Sequence, residues 1–257
     1  MNTATTNRPL EPQPCAIVIG ASSGLGAALT RQLAAQGYQV AAVARREAEL
    51  AAVRDSAKSG GRGRVCAYVH DVTECQQVPA LFDQIVRDLG GLDLIIYAAA
   101  VQPPVGLHEF DFAKDEAMIR TNLVGAIAWL NEAAIRFERA HRGQIVGISS
   151  IAGDRGRVGS PVYNASKAGL DTYLEALRNR LSRRGVTVTT IKPGFIDTAL
   201  LKNAPRTFWV ISPDEAAVRT LAAVAARKQV AYVPSRWRLV SLAVRAMPSF
   251  LFRRLNF

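Results

Sequence analysis

A phenol and an ammonium stand four residues apart in Tyr163-Asn-Ala-Ser-Lys167, inside "GSPVYNASKAGLDTYLEAL". On a helix this spacing sets the two side chains one turn apart. A free tyrosine has a pKa near 10 and is a poor base at neutral pH. An ammonium beside it favours the phenolate, and a phenol so tuned can protonate a carbonyl oxygen or deprotonate an alcohol. Taken alone, the pair is also an ordinary couple of helix neighbours. The surrounding elements decide between the two readings.

Short apolar runs alternate with longer segments of helical period along the whole chain. Strands are predicted at 15–20, 38–43, 65–69, 93–98, 144–149, 186–191 and 230–233. Helices are predicted near 24–36, 46–58, 75–88, 113–138, 161–182 and 212–226. The strand runs are continuously apolar, as strands covered by helices on both faces must be. Repeated βα units of this length predict one α/β domain, a doubly wound Rossmann sheet of seven parallel strands. Its ligand belongs at the carboxyl ends of the strands.

The glycines of "IGASSGLGAAL" follow the first strand and open the first helix. Gly20, Gly24 and Gly26, with Ser22, Ser23 and Leu25 between them, suit a tight turn and close backbone approach to a pyrophosphate. The second strand ends in Ala44-Arg45-Arg46, where an NAD site usually places an acid for the ribose 2′-hydroxyl. A guanidinium there instead binds a 2′-phosphate, so NADP(H) is expected over NAD(H). The alternative is a solvated helix start, although cations at a helix N-terminus oppose its dipole. Asp71, followed by Val72 after the third strand, is either an acceptor for an adenine amino group or a turn and N-cap residue.

Composition sets outer bounds. The chain has 257 residues, 49% of them hydrophobic, enough for one sizeable core. Residues 1–14 are polar and proline-rich and read as a loose tail without a signal-peptide core. Cys15, Cys66 and Cys75 lack metal-ligand spacing; reduced thiols and a cytoplasmic setting are expected, with no metal site. Net charge is +11, and the last 42 residues hold eight basic residues and no acid. The basic residues lack a nucleic-acid motif, so nucleic acid is not an expected partner.

Five features in order, at matching spacing, make residues 14–233 resemble the short-chain dehydrogenase/reductase family: the glycine turn, Asn122 in "RTNLVGA", "ISSIAG", Y-x-x-x-K, and "KPGFIDT" at 192–198. The resemblance implies a cofactor-bound carbonyl/alcohol oxidoreductase with Tyr163 as general acid/base. It implies that the Ser150 hydroxyl bonds the reacting oxygen, that Lys167 binds the nicotinamide ribose, and that Asn122 holds a water in a proton relay. Pro193, Gly194, Ile196 and Thr198 are implied to bind the carboxamide. The family typically has N-N-A-G after the fourth strand; this chain has Tyr97-Ala98-Ala99-Ala100, which keeps small residues beside a ribose but lacks a structural asparagine. Family habit implies a homodimer or homotetramer through the helices near 113–138 and 161–182.

The family pattern ends near Val233, leaving 234–257 as a basic, apolar extension. It is too short to span a bilayer. One reading makes it a cover for the sheet edge or for a second subunit. The other makes it an interfacial element on an anionic membrane, with Trp237, Phe250, Phe252 and Phe257 at headgroup depth and the protein peripheral to the cytoplasmic face. A weaker resemblance, on "SSIAGDRGR", "VYNASKAGLD" and "MPSFLFRRL", is to reductases of polyprenylphosphoryl 2-keto-pentoses and implies a lipid-linked ketone substrate. The segment 195–212 is the expected substrate loop, with Phe208 and Trp209 as wall or core residues. A soluble 3-oxoacyl or steroid-like ketone is the alternative substrate, and a non-catalytic NADP sensor the alternative class.

Overall fold

The computed structural model describes residues 13–58, 63–203 and 207–254. Most of the proposed tail, part of the substrate loop and Phe257 lie outside these residues. Seven parallel strands form one sheet: β1 (Cys15–Ile19), β2 (Gln39–Ala44), β3 (Arg64–Val69), β4 (Leu94–Tyr97), β5 (Gly143–Ile148), β6 (Val186–Pro193) and β7 (Val230–Val233), in the order β3-β2-β1-β4-β5-β6-β7. Strand order reverses between β1 and β4, so the connections leave in opposite directions there and open a crevice at the carboxyl ends.

Two apolar layers hold the sheet. On one face α1 (Gly24–Ala35), α2 (Glu47–Lys58) and α7 (Pro213–Ala225) accompany a core around Val18, Leu29, Ile96 and Leu221. On the other, α3 (Val78–Leu89), α5 (Gly125–Ala140) and α6 (Pro161–Leu181) close over Ile17, Phe82, Trp129 and Leu174. All five residues of β1 are buried, as its continuous apolar run requires, whereas the edge strand β3 alternates between cover and exposure.

The helix predicted over 113–138 is not one regular helix. It divides into α4 (Phe112–Ile119), a π turn at Arg120–Val124, and α5. The wide turn carries Asn122 inward, fully buried, where its side chain finds polar partners off the helix. The extension forms α8 (Trp237–Ala246) and, past Pro248, α9 (Ser249–Phe252). Among the described residues no helix is long and apolar enough to cross a membrane.

Candidate active site

The crevice opens into a cavity of about 1890 Å³. Every residue that the sequence assigned to the site lines it except Asn122, which lies immediately behind.

The glycine turn shows why those positions carry no side chain. A Cβ on Gly26 would sit 2.1 Å from the Gly20 carbonyl oxygen, and one on Gly20 would sit 2.5 Å from the Ala99 nitrogen. The turn is held to the sheet where Gly20 N–H donates to the Val43 carbonyl at 2.8 Å. Ser23 caps α1 without a side-chain hydrogen bond, so the first-turn N–H groups have no side-chain acceptor there. This is an anion cradle, and it fits a pyrophosphate. Arg46 reaches across it and donates to Ser22 Oγ at 2.8 Å and Ser23 Oγ at 2.6 Å, while pairing with Glu49 at 3.3 Å. Arg45 lies 3.5 Å from Asp71 Oδ2. Asp71 takes the turn role left open by the sequence: its Oδ1 accepts from Thr73 N–H and from Thr73 Oγ1. These hydrogen bonds and Arg45 hold its carboxyl below the ordinary value against the opposing effect of burial. Thr198 stands over Gly24, its methyl 3.0 Å from where a Cβ would be, and so closes the crevice from the β6 side. Ile196 is buried and bridges to Ile211.

Gly194 lines the cavity and has a packing cause besides the role that the family pattern implies. A Cβ there would overlap Trp237 Nε1 at 1.9 Å, so the glycine is demanded by an indole from α8. Trp237 is therefore buried and is not a headgroup residue as expected; Phe252 is likewise engaged, its ring under Arg155 at 4.0 Å. Phe208 and Trp209 are half exposed rather than core. Phe208 lines the cavity and packs with Phe195 and Trp237 at ring separations of 5.5 and 5.0 Å.

The opposite wall carries the polar chemistry. Ser150 follows β5 and caps the turn Ile151–Asp154 by accepting from Ala152 N–H at 3.1 Å. A Cβ on Gly153 would meet Asp171 Oδ2 at 2.6 Å, so this turn lies directly on α6. Burial pushes the Tyr163 phenol up, opposed by the Ser150 hydroxyl and the Arg157 charge. Lys167 is buried, donates to the Ile148 carbonyl at 3.0 Å, and lies 5.8 Å from the Tyr163 ring centre. Burial lowers its pKa from 10.5 to about 8, with the Asp171 charge acting the other way.

Asn122 is a fastener. Its Oδ1 accepts from Val101 N–H at 2.8 Å, and its Nδ2 donates to the Val101 carbonyl and to Ser166 Oγ. The polar atoms of the side chain thus tie the loop after β4 to α6. At Tyr97, in the segment that departs from the family pattern, the buried hydroxyl donates to the Thr121 carbonyl in the π turn at 2.5 Å.

Three features lay beyond sequence reasoning. Arg157 stands six residues before Tyr163 in a glycine-flanked loop that looks like ordinary solvated surface. Asp154 sits in a buried network, paired with Lys192 and accepting from Ser241 Oγ at 2.7 Å and Tyr232 at 3.2 Å. With Arg155 donating to the Val244 carbonyl at 2.7 Å, this network fastens α8 to the turn after Ser150. Val240 and Val244 then complete the cavity wall.

A family profile described as short chain dehydrogenase matches residues 14–208. The chain belongs to the short-chain dehydrogenase/reductase family. It is 34% identical to an oxidoreductase of Myxococcus xanthus over 92% of this chain and 94% of that protein. It is 32% identical to a 3-oxoacyl-[acyl-carrier-protein] reductase of Bos taurus over 72% of this chain and 77% of that one. An actinorhodin polyketide ketoreductase solved with NADPH superposes with a TM-score of 0.77 at 23% identity, covering 86% of this chain and 95% of its own. As a family member the chain is an NAD(P)-dependent oxidoreductase acting on CH–OH and C=O groups.

Proposed function

We propose that this chain is an NADPH-dependent carbonyl reductase in which Tyr163 moves the proton. The observation that carries the reading is the meeting of Ser150, Tyr163 and Lys167 on one wall of the cavity whose floor is the glycine turn. When bound, the nicotinamide supplies or accepts the hydride. Tyr163 gives its proton to the carbonyl oxygen during reduction, and the Ser150 hydroxyl donates to the same oxygen as charge develops on it. The Lys167 ammonium offers donors to a ribose and a positive field to the phenolate. Arg46, at the rim beside Ser22 and Ser23, and Arg45, beside Asp71, support a 2′-phosphate and hence NADPH. Replacing Tyr163 with Phe abolishes turnover of a ketone panel and leaves NADPH binding intact; retained turnover would refute the mechanism.

The substrate half is walled by Val101, Val105, Phe208, Trp237, Val240 and Val244, which supports a ketone with an apolar body. A lipid-linked ketone is our first choice. The Bos taurus relative, named as a 3-oxoacyl reductase, supports a 3-oxoacyl thioester as the second. The outer face of α8 bears on the choice. Leu239, Leu242, Ala243 and Ala246 form an exposed stripe at helical spacing, continued by Phe250 and Leu251 and bordered by Arg236, Arg238, Arg245, Arg253 and Arg254. Two copies meeting on this face would oppose like charges, whereas an anionic lipid surface complements them. Sedimentation with phosphatidylglycerol but not phosphatidylcholine vesicles, lost in Leu242→Glu with NADPH binding retained, is the expected result. Equal binding to both vesicle types, or to neither, removes the membrane from the proposal. A homodimer or homotetramer belongs to the same reading and is measured by light scattering.

A further inference from the structure

We infer that Asp154 is a specificity-determining positioning residue: its carboxylate holds α8 in place as the apolar wall that selects ketones with a large body. The inference rests on the proposal that the ketone lies between Ser150 and that wall. Apolar side chains alone anchor α8 poorly. Of its residues only Trp237 and Ser241 are buried, while Leu239 and Leu242 face outward. An amphipathic helix ordinarily buries an apolar stripe along its length. Here the buried position in mid-helix is a hydroxyl, and Asp154 receives it: Ser241 Oγ donates to Asp154 Oδ2 at 2.7 Å. The Tyr232 hydroxyl from β7 donates to the same oxygen at 3.2 Å, and the Lys192 ammonium from β6 pairs with Oδ1. Arg155, the next residue, takes the far end of the helix by donating to the carbonyls of Val244 and Met247, where a helix end leaves such groups without backbone donors.

Only a carboxylate meets this set of donors. An ammonium and two hydroxyls converge on its two oxygens, and an amide in its place would turn N–H groups toward at least one of them. The Asp154 side chain is 2% exposed, so water does not stand in for a lost acceptor. Its charge is not what Lys192 depends on, because the same ammonium reaches Asp171 Oδ2 on α6 at 2.8 Å and would keep that partner. What Asp154 alone supplies is the bridge to Ser241. That bridge sets the cavity wall. Trp237, Val240, Ser241 and Val244 follow the i, i+3, i+4, i+7 pattern of one helix face, and all of them line the cavity. Ser150 caps the other end of the turn Ile151–Asp154, so one short turn joins the serine to the wall. The serine end has its own supports: Ser150 accepts from Ala152 N–H, Gly153 lies against Asp171 of α6, and Lys167 holds the Ile148 carbonyl. Loosening Asp154 therefore frees α8 and leaves Ser150 in place.

The test reads ketone binding and not turnover. A ketone and NADP+ are both oxidised, so no hydride moves between them. Calorimetry on the full chain with saturating NADP+ (or NAD+, if that cofactor binds more tightly) gives the dissociation constant of the ketone. Butanone is the small probe and benzylacetone the one with an apolar body, and the original chain should bind benzylacetone more tightly. Asp154→Asn should weaken benzylacetone about tenfold, the effect of uncovering about two methylene groups, and leave butanone within about twofold. Ser241→Ala removes the partner on α8 without touching a charge and should do the same. The double variant should add little to either single one, because both break one bridge. Equal weakening of the two ketones overturns the inference, since a general loss of structure would then be responsible. Unchanged affinities, additive effects, or an original chain without preference for benzylacetone overturn it as well. Cofactor binding reports the folding of each variant, and Ser241→Ala decides alone should Asp154→Asn fail to bind. Failure of the proton role shows separately, as turnover surviving in Tyr163→Phe.

Discussion

Lys167→Met isolates the free energy that this fold commits to one buried ammonium. The gap between the ordinary lysine value of 10.5 and the folded value of about 8, at about 1.4 kcal/mol per tenfold change, is about 3 kcal/mol against the charged form. The sign follows from proton counting. Below pH 8 both folded and unfolded chains hold the proton, and the folded state bears the whole burial cost. Between about pH 8 and 10.5 the folded state has lost the proton and the unfolded chain still binds it, so stability rises with pH. The methionine variant lacks this term at every pH. It does leave the Ile148 carbonyl without its donor, a loss that does not depend on pH and cancels in a comparison across pH. Relative to Lys167→Met, the original chain should therefore gain about 3 kcal/mol between pH 7 and 10.5, or about 6–12 °C in the difference of melting temperatures for a domain of this size. Thermal melts of both proteins at matched ionic strength read it directly. A difference that stays flat across this range, or moves the other way, would refute the argument that the ammonium is held at a cost. Turnover should vanish in the variant whatever its stability, because the ribose donor and the positive field go together.

Arg46→Glu should raise the Michaelis constant for NADPH at least tenfold and leave that for NADH within about threefold, because a carboxylate beside Ser22 and Ser23 repels a 2′-phosphate. Equal effects on both cofactors would take Arg46 out of that role. Gly194→Ala should destabilise the fold by about 1–3 kcal/mol, since its Cβ meets Trp237 at 1.9 Å and the indole cannot swing into a packed wall. Pairing it with Trp237→Phe should restore part of the loss in a chemical-denaturation experiment, and no restoration would place the strain elsewhere.

Much of this protein is legible from its residues alone, for reasons of period and backbone. Continuous apolar runs separated by helical segments admit few arrangements other than a parallel sheet wrapped on both faces, and the strands fall within one or two residues of their predicted places. The glycine turn, Ser150, Tyr163 and Lys167 could be selected because their types and spacing carry chemistry before any contact is known. What the chain order could not disclose is which distant groups share a shielded corner. Asn122, expected in a proton relay, has its side chain spent on fastening the loop after β4 to α6, because a π turn rotates it onto Val101 and Ser166. Trp237, which the sequence left as either a cover or a membrane residue, is a wall, because α8 folds back over Gly194. Arg157 looked like solvated surface and has its Nε shielded from water, because Asn164 pins its loop. Periodicity and residue type act along the chain and are written in it; burial and electrostatic partnership arise between segments far apart in sequence, and only packing sets them.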